Sequence, residues 1–223
     1  MRFERRDTPD RIEFWSYELD DPLRWAVERI GWEPRDGGWC RHFDVRAHHA
    51  DKAFDNMHRL LEPALRQIAG LDAVPWRDAL NEVCARLNPA GIDWWLGGSA
   101  ALAVRGADLV PHDLDLIVSG PDSRRVGDLL VDCLIEPVTR GEWHLSDWWG
   151  RAVVGCRVEW AGGVTAASDE PDITDFGLIA TRTLESVRWR EWQVRVPPLS
   201  LQRAVSIRRG LKDRVALIDA IRA

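Results

Sequence analysis

The sequence predicts an α+β fold: a mixed β-sheet flanked by helices, with an α+β extension ahead of it and helices behind it. Three observations lead there. Residues 93–119 read as strand, Gly-Gly-Ser turn, short helix, loop and strand. Residues 136–163 hold two or three further strands. Residues 50–69 place Phe54, Met57, Leu61, Leu65 and Ile68 on one helical face. The chain divides into an extension (1–72), a core (73–181) and a basic strand/helix segment (182–223).

The elements follow in order. Residues 11–19 alternate as a strand, and Asp20 or Asp21 then caps a helix with Pro22 in its first turn. Residues 31–38 are turn-rich. Pro63 interrupts the long helix and is expected to kink or split it. A helix over 74–87, with Pro75 near its start, precedes the strand 92–96. A helix follows Gly120-Pro121 over 122–133, and 161–176 reads as a loop. A hairpin around Arg190-Glu191 spans 187–196, and helices over 198–207 and 211–221 close the chain. There is no internal repeat.

Composition narrows the function classes. At 223 residues and 45% hydrophobic, the chain can bury a proper core. A net charge of −6 argues against general nucleic-acid affinity, but 182–223 carries ten basic against four acidic residues. That segment suits either a polyphosphate or RNA partner or a solvated helix face. Cys40, Cys84, Cys133 and Cys156 form no C-x-x-C pair, so free thiols in a reducing compartment are expected. The charged N-terminus is not a signal segment, and no apolar run reaches membrane-spanning length. The expectation is a soluble, cytoplasmic protein that binds no membrane.

The chemistry concentrates in the 93–119 stretch. Asp113 and Asp115 lie two apart on a strand and so share a face, while Leu114, Leu116 and Val118 take the other. Adjacent like charges repel unless a cation sits between them, and hard oxygen donors suit Mg²⁺. Gly97 and Gly98 let backbone N–H groups approach a ligand, and Ser99 adds a hydroxyl at a helix start. A phosphate cradle beside a carboxylate pair outlines phosphoryl or nucleotidyl transfer. In V-V-G-C-R-V-E-W, Gly155, Arg157 and Glu159 share the face opposite Val158 and Trp160, which makes Glu159 the candidate third carboxylate. It is expected to bind a cation and to accept a proton from the attacking hydroxyl. An exposed strand glutamate is the plain alternative.

The text W-W-L-G-G-S-A-A-L-A-V-R-G…P-H-D-L-D-L resembles the core motif of the polymerase-β-like nucleotidyltransferase superfamily. It is most similar to the aminoglycoside and lincosamide nucleotidyltransferases and to abortive-infection-type nucleotidyltransferase toxins. The resemblance implies two Mg²⁺ ions on Asp113, Asp115 and Glu159, with an NTP (ATP expected) as co-substrate on Gly97, Gly98 and Ser99. The family more often has Asp at the third acidic position. R-R-G-L-K-D-R resembles the family's C-terminal K-D segment, which makes Lys212 a candidate phosphate ligand, with Arg208 and Arg209 beside it. The implied activity is transfer of a nucleoside monophosphate to a hydroxyl. The acceptor is first a small molecule of aminoglycoside type, second tRNA; a degenerate copy that only binds is the third reading.

Other features stay open. Trp143, Trp148 and Trp149 either pack or stack on a base or acceptor ring. The acidic loop 168–175 either attracts a cationic acceptor or is solvated. Asp175-Phe176-Gly177 spells a kinase motif without the rest of a kinase. His42, His48, His49 and His58 have no evident completing ligand, so a metal site is not expected there.

Overall fold

The computed structural model describes residues 1–140 and 145–222. The N-terminal part holds β1 (Arg2–Asp7), β2 (Arg11–Tyr17), α1 (Asp21–Arg29), β3 (Glu33–Arg35) and β4 (Gly38–Asp44). These strands form an antiparallel sheet ordered β1-β2-β4-β3. The turn-rich stretch is a hairpin: Arg35 pairs with Gly38, and Asp36 and Gly37 have φ of 47° and 78°. Two positive φ angles are what a two-residue type I′ turn demands, and Asp-Gly meets that demand. β1 was not anticipated, because R-F-E-R-R-D alternates too weakly; it is an edge strand that buries little. α2 (Ala50–Ile68) is one helix through Pro63. Pro63 lies on its exposed side, where water can satisfy the carbonyl that proline leaves unpaired. The opposite face buries Ala53, Met57, Leu61, Ala64 and Leu65.

The second part follows as α3 (Trp76–Leu87), β5 (Trp94–Leu96), α4 (Gly98–Ala103), β6 (Leu114–Val118), α5 (Asp122–Leu129), β7 (Leu134–Arg140), β8 (Ser146–Val154) and β9 (Cys156–Val164). Its sheet is ordered β5-β6-β9-β8-β7, with β6 and β9 parallel and the other neighbours antiparallel. The chain closes with α6 (Leu178–Arg182), the hairpin β10 (Glu185–Trp189) and β11 (Trp192–Val196), α7 (Leu199–Arg208) and α8 (Lys212–Arg222). This is the expected α+β mixture. α5 ends sooner than expected, and β9 runs into the region read as loop.

One buried cluster links the two parts, from Phe14 on β2 through Met57 and Leu61 on α2 to Leu114, Leu116, Val158 and Trp160. His48, just before α2, also pairs with Val138 as an isolated antiparallel bridge. β7 would otherwise offer an open sheet edge, and this contact blunts it. Among the described residues no helix is long and apolar enough to cross a membrane. Cys40, Cys84 and Cys156 are buried, Cys133 is half-buried, and all four are free thiols.

Candidate active site

Strand alternation sorts β6 into two faces. Leu114, Leu116 and Val118 enter the main core, and Asp115 and Ile117 face the other way. Asp113 lies one residue before β6. The register then adds Glu159, which is Asp115's lateral partner on β9. One carboxylate oxygen from each of Asp113, Asp115 and Glu159 lies within 4.8 Å of the others. The three predicted carboxylates therefore converge.

Gly97 and Gly98 join them. The Gly97 N–H donates to the Asp115 backbone carbonyl at 2.8 Å, fixing the turn against β6. Gly98 has φ of 58°, and a Cβ there would overlap the Asp115 carboxylate. Glycine is thus required twice at this position, by backbone angle and by space. Ser99 follows, half-buried, in the first turn of α4. Gln202 of α7 braces the turn by donating to the Gly98 carbonyl at 3.2 Å.

Behind the carboxylates runs a row of charge that crosses four strands. Asp115 on β6 is beside Glu159 on β9, Glu159 beside Arg151 on β8, and Arg151 beside Glu136 on β7. Arg151 donates to Glu159 at 2.7 Å, to the Ile30 carbonyl at 2.9 Å and to Glu136. Trp32 also donates to Glu136, at 3.3 Å, and Arg41 of β4 stands 3.7 Å from it. The N-terminal part therefore reaches the site through Ile30, Trp32 and Arg41. A second arginine, Arg157, pairs with Asp113 and stands 3.3 Å from Glu159.

These partners set the protonation of the carboxylates. Burial, then the charges of Asp113 and Glu159, push the Asp115 carboxyl up to about 7. Burial acts on Glu159 in the same direction, but Arg151 and Arg157 outweigh it and hold its carboxyl below the ordinary range. A carboxylate held ionised by two guanidinium groups is a poor proton acceptor.

Asp115 and Glu159 open onto a cavity of about 460 Å³. Gly97, Gly98, Asp115, Glu159 and Trp149 line it, together with residues that sequence reasoning passed over or left undecided: Asp175, Phe176, Arg209 and Arg214. Burial raises the Asp175 carboxyl, against the lowering effect of a backbone hydrogen bond and of Arg214, Arg209 and Arg208. The D-F-G triplet, set aside as a kinase decoy, thus supplies an acid and an aromatic ring to the cavity. No local pattern announces this, since Asp175, Phe176, Arg209 and Arg214 come to the same cavity as Asp115 only in three dimensions. Lys212 is exposed at the start of α8 and does not line the cavity; Arg209 and Arg214 on either side of it do. Arg208 is occupied by the Ile173 carbonyl and stands 3.9 Å from Asp172.

The acidic loop is divided in role. Asp169 accepts from the Thr174 and Ile179 amides, both at 2.9 Å, so it organises the loop, whereas Asp175 faces the cavity. Trp149 also faces the cavity, while Trp148 holds Arg140 at 4.7 Å. Trp143 lies outside the described residues. A second cluster corrects the histidine reading: Asp128 completes a set with His48 and His49. Both Nε2 atoms lie against Asp128 Oδ1, at 2.6 and 2.7 Å.

The fold is thus a mixed sheet that carries an acidic pair beside a glycine turn. No protein-family model matches the sequence, and no curated protein does. The structure is similar to a Thermotoga maritima protein described provisionally as a nucleotidyltransferase, with a TM-score of 0.50 and 16% identity over 65% of this chain and 91% of that one. It is also similar to ANT(2")-Ia, solved with adenylyl-2"-tobramycin, with a TM-score of 0.46 and 12% identity over 66% and 90% of the two chains. The likeness to the Thermotoga maritima protein is one of fold.

Proposed function

We propose that this protein is a divalent-metal-dependent nucleotidyltransferase that moves a nucleoside monophosphate from an NTP to an acceptor hydroxyl. The observation that carries this reading is the convergence of Asp113, Asp115 and Glu159, two of which, Asp115 and Glu159, line a cavity together with Gly97 and Gly98. Their oxygen donors fit a hard cation such as Mg²⁺, which when bound supplies positive charge for the polyphosphate and acidifies the acceptor hydroxyl. Asp115 makes no ion pair or side-chain hydrogen bond among the described residues, which leaves both its oxygens to such an ion.

The remaining roles belong to the chain. First-turn N–H groups of α4 have no intrahelical acceptor, so the Gly98-Ser99 backbone is open to phosphate oxygens. Arg209 and Arg214 supply the opposing charge, in place of Lys212. Trp149 and Phe176 offer ring faces to the base or the acceptor. The acceptor oxygen forms its bond to the α-phosphorus as the α–β bridge breaks, pyrophosphate leaves, and the hydroxyl proton passes to solvent.

ATP is the expected nucleotide and a small hydroxylated molecule the first acceptor. The acidic residues at the cavity favour a cationic compound of aminoglycoside type over RNA. Much of the C-terminal positive charge is also neutralised locally: Arg195 pairs with Asp93, Arg203 with Asp219 and Arg190 with Asp78. tRNA is the second acceptor reading. A non-catalytic nucleotide binder is the third, motivated by the arginines already held on Asp113 and Glu159. Labelled NTPs offered with an aminoglycoside panel and with total tRNA test all three. Transfer to a small molecule supports the first reading, transfer to tRNA the second, and nucleotide binding without transfer the third.

A further inference from the structure

We propose that Arg157 is a built-in cation of this centre, bridging Asp113 and Glu159 where a second divalent ion would otherwise bind, so that the protein alone holds one such ion. The inference rests on the nucleotidyl-transfer reading and deepens it.

Backbone register is the first argument. Leu114 is opposite Val158 and Asp115 opposite Glu159 on the parallel pair β6–β9. Asp113 therefore lies beside Arg157 as Asp115 lies beside Glu159, a placement fixed by the sheet and not by a rotamer. Occupancy of the oxygens is the second. Arg157 takes Asp113 Oδ2, and Arg151 and Arg157 both approach Glu159 Oε1. Asp113 Oδ1, Glu159 Oε2 and the Asp115 carboxylate remain. Those oxygens suit one six-coordinate cation that completes its shell with water and phosphate.

Charge balance is the third argument. Three carboxylates and Glu136, with Arg151 and Arg157, sum to −2, so one divalent ion brings the nucleotide-free site to neutrality and two would leave it at +2. Such an excess in a half-buried site is unfavourable before the triphosphate arrives. The Arg157 side chain is 14% exposed and held by two acids, so displacing it would strand a buried charge.

Counting Mn²⁺ ions on the full-length protein without nucleotide, by calorimetry and electron paramagnetic resonance, tests the proposal. One ion is expected for the wild type and for Arg157→Lys, and two for Arg157→Gln. Two ions on the wild type, or one on all three proteins, would overturn it. Arg157→Met, which keeps the apolar stem, replaces Arg157→Gln should that chain fail to fold. Two ions on a wild type that still transfers nucleotide sink this inference alone. A wild type that binds no Mn²⁺ and transfers nothing removes the transfer reading and this inference with it.

Discussion

Two clusters in this molecule bring three metal-capable side chains together, and they differ in what is left unsatisfied. In the His48–His49–Asp128 cluster the acid is paired, with both Nε2 atoms on Asp128 Oδ1. The Arg124 guanidinium lies 3.2 Å from His48 Nδ1 and can only donate, so Nδ1 accepts there while Nε2 faces Asp128. Burial raises the Asp128 carboxyl, but its hydrogen bonds to His48 and His49 outweigh that and hold it low. In the Asp113–Asp115–Glu159 cluster, arginines pair with two acids, while Asp115 has no ion pair among the described residues. Convergence alone therefore does not mark a site. The mark is a buried charge that the fold declines to neutralise, facing a cavity.

The most severe test of that contrast is Asp115→Asn. Transfer should fall by at least about 10²-fold, the scale of losing a main electrostatic contact. Stability should move the other way. The folded-state value near 7 lies above the usual 3.8, so ionisation favours the unfolded chain increasingly from about pH 4 to pH 7 and by a constant amount above. Asp115→Asn should thus melt higher than wild type at pH 8 and converge with it near pH 4 in a thermal-shift series. A lower melting temperature at pH 8 would mean that Asp115 is structural.

Arg151→Met probes the charge row behind the site. Glu136 is 1% exposed at its side chain and would lose its nearest counter-charge. Breaking a buried pair from one side costs about 3–5 kcal/mol, a fall of roughly 10 °C for a chain of this size. Arg151→Met with Glu136→Gln should recover much of that loss in a denaturant titration; no recovery would show that the row is not a coupled unit.

Gly98→Ala should cost about 1–2 kcal/mol for a left-handed backbone angle. Displacement of the Asp115 carboxylate should cut transfer by up to about 10²-fold. Unchanged kinetics would place the Gly98 turn outside the working site. The smallest effect belongs to the satisfied cluster. Asp128→Ala should lose about 1 kcal/mol of stability and leave transfer within about twofold. A large loss of activity there would erase the distinction between the two clusters.

The sequence by itself determined the parts whose causes are local. Alternation put Asp113 and Asp115 on one side of a strand, Gly97-Gly98-Ser99 marked a turn before a helix, and the 3.6-residue period of α2 survived Pro63. The same alternation put Glu159 on the right face of its strand. What only tertiary structure decided is how distant segments share charge. That Glu159 lies beside Asp115 depends on β6 and β9 being neighbours, and that it is held ionised depends on Arg151 from β8. Asp175, Phe176, Arg209 and Arg214 reach the cavity, and Lys212 does not, because segments distant in sequence meet there only once the chain has folded. Electrostatic interactions act through space across strands and helices, whereas the patterns legible in a sequence act along the chain.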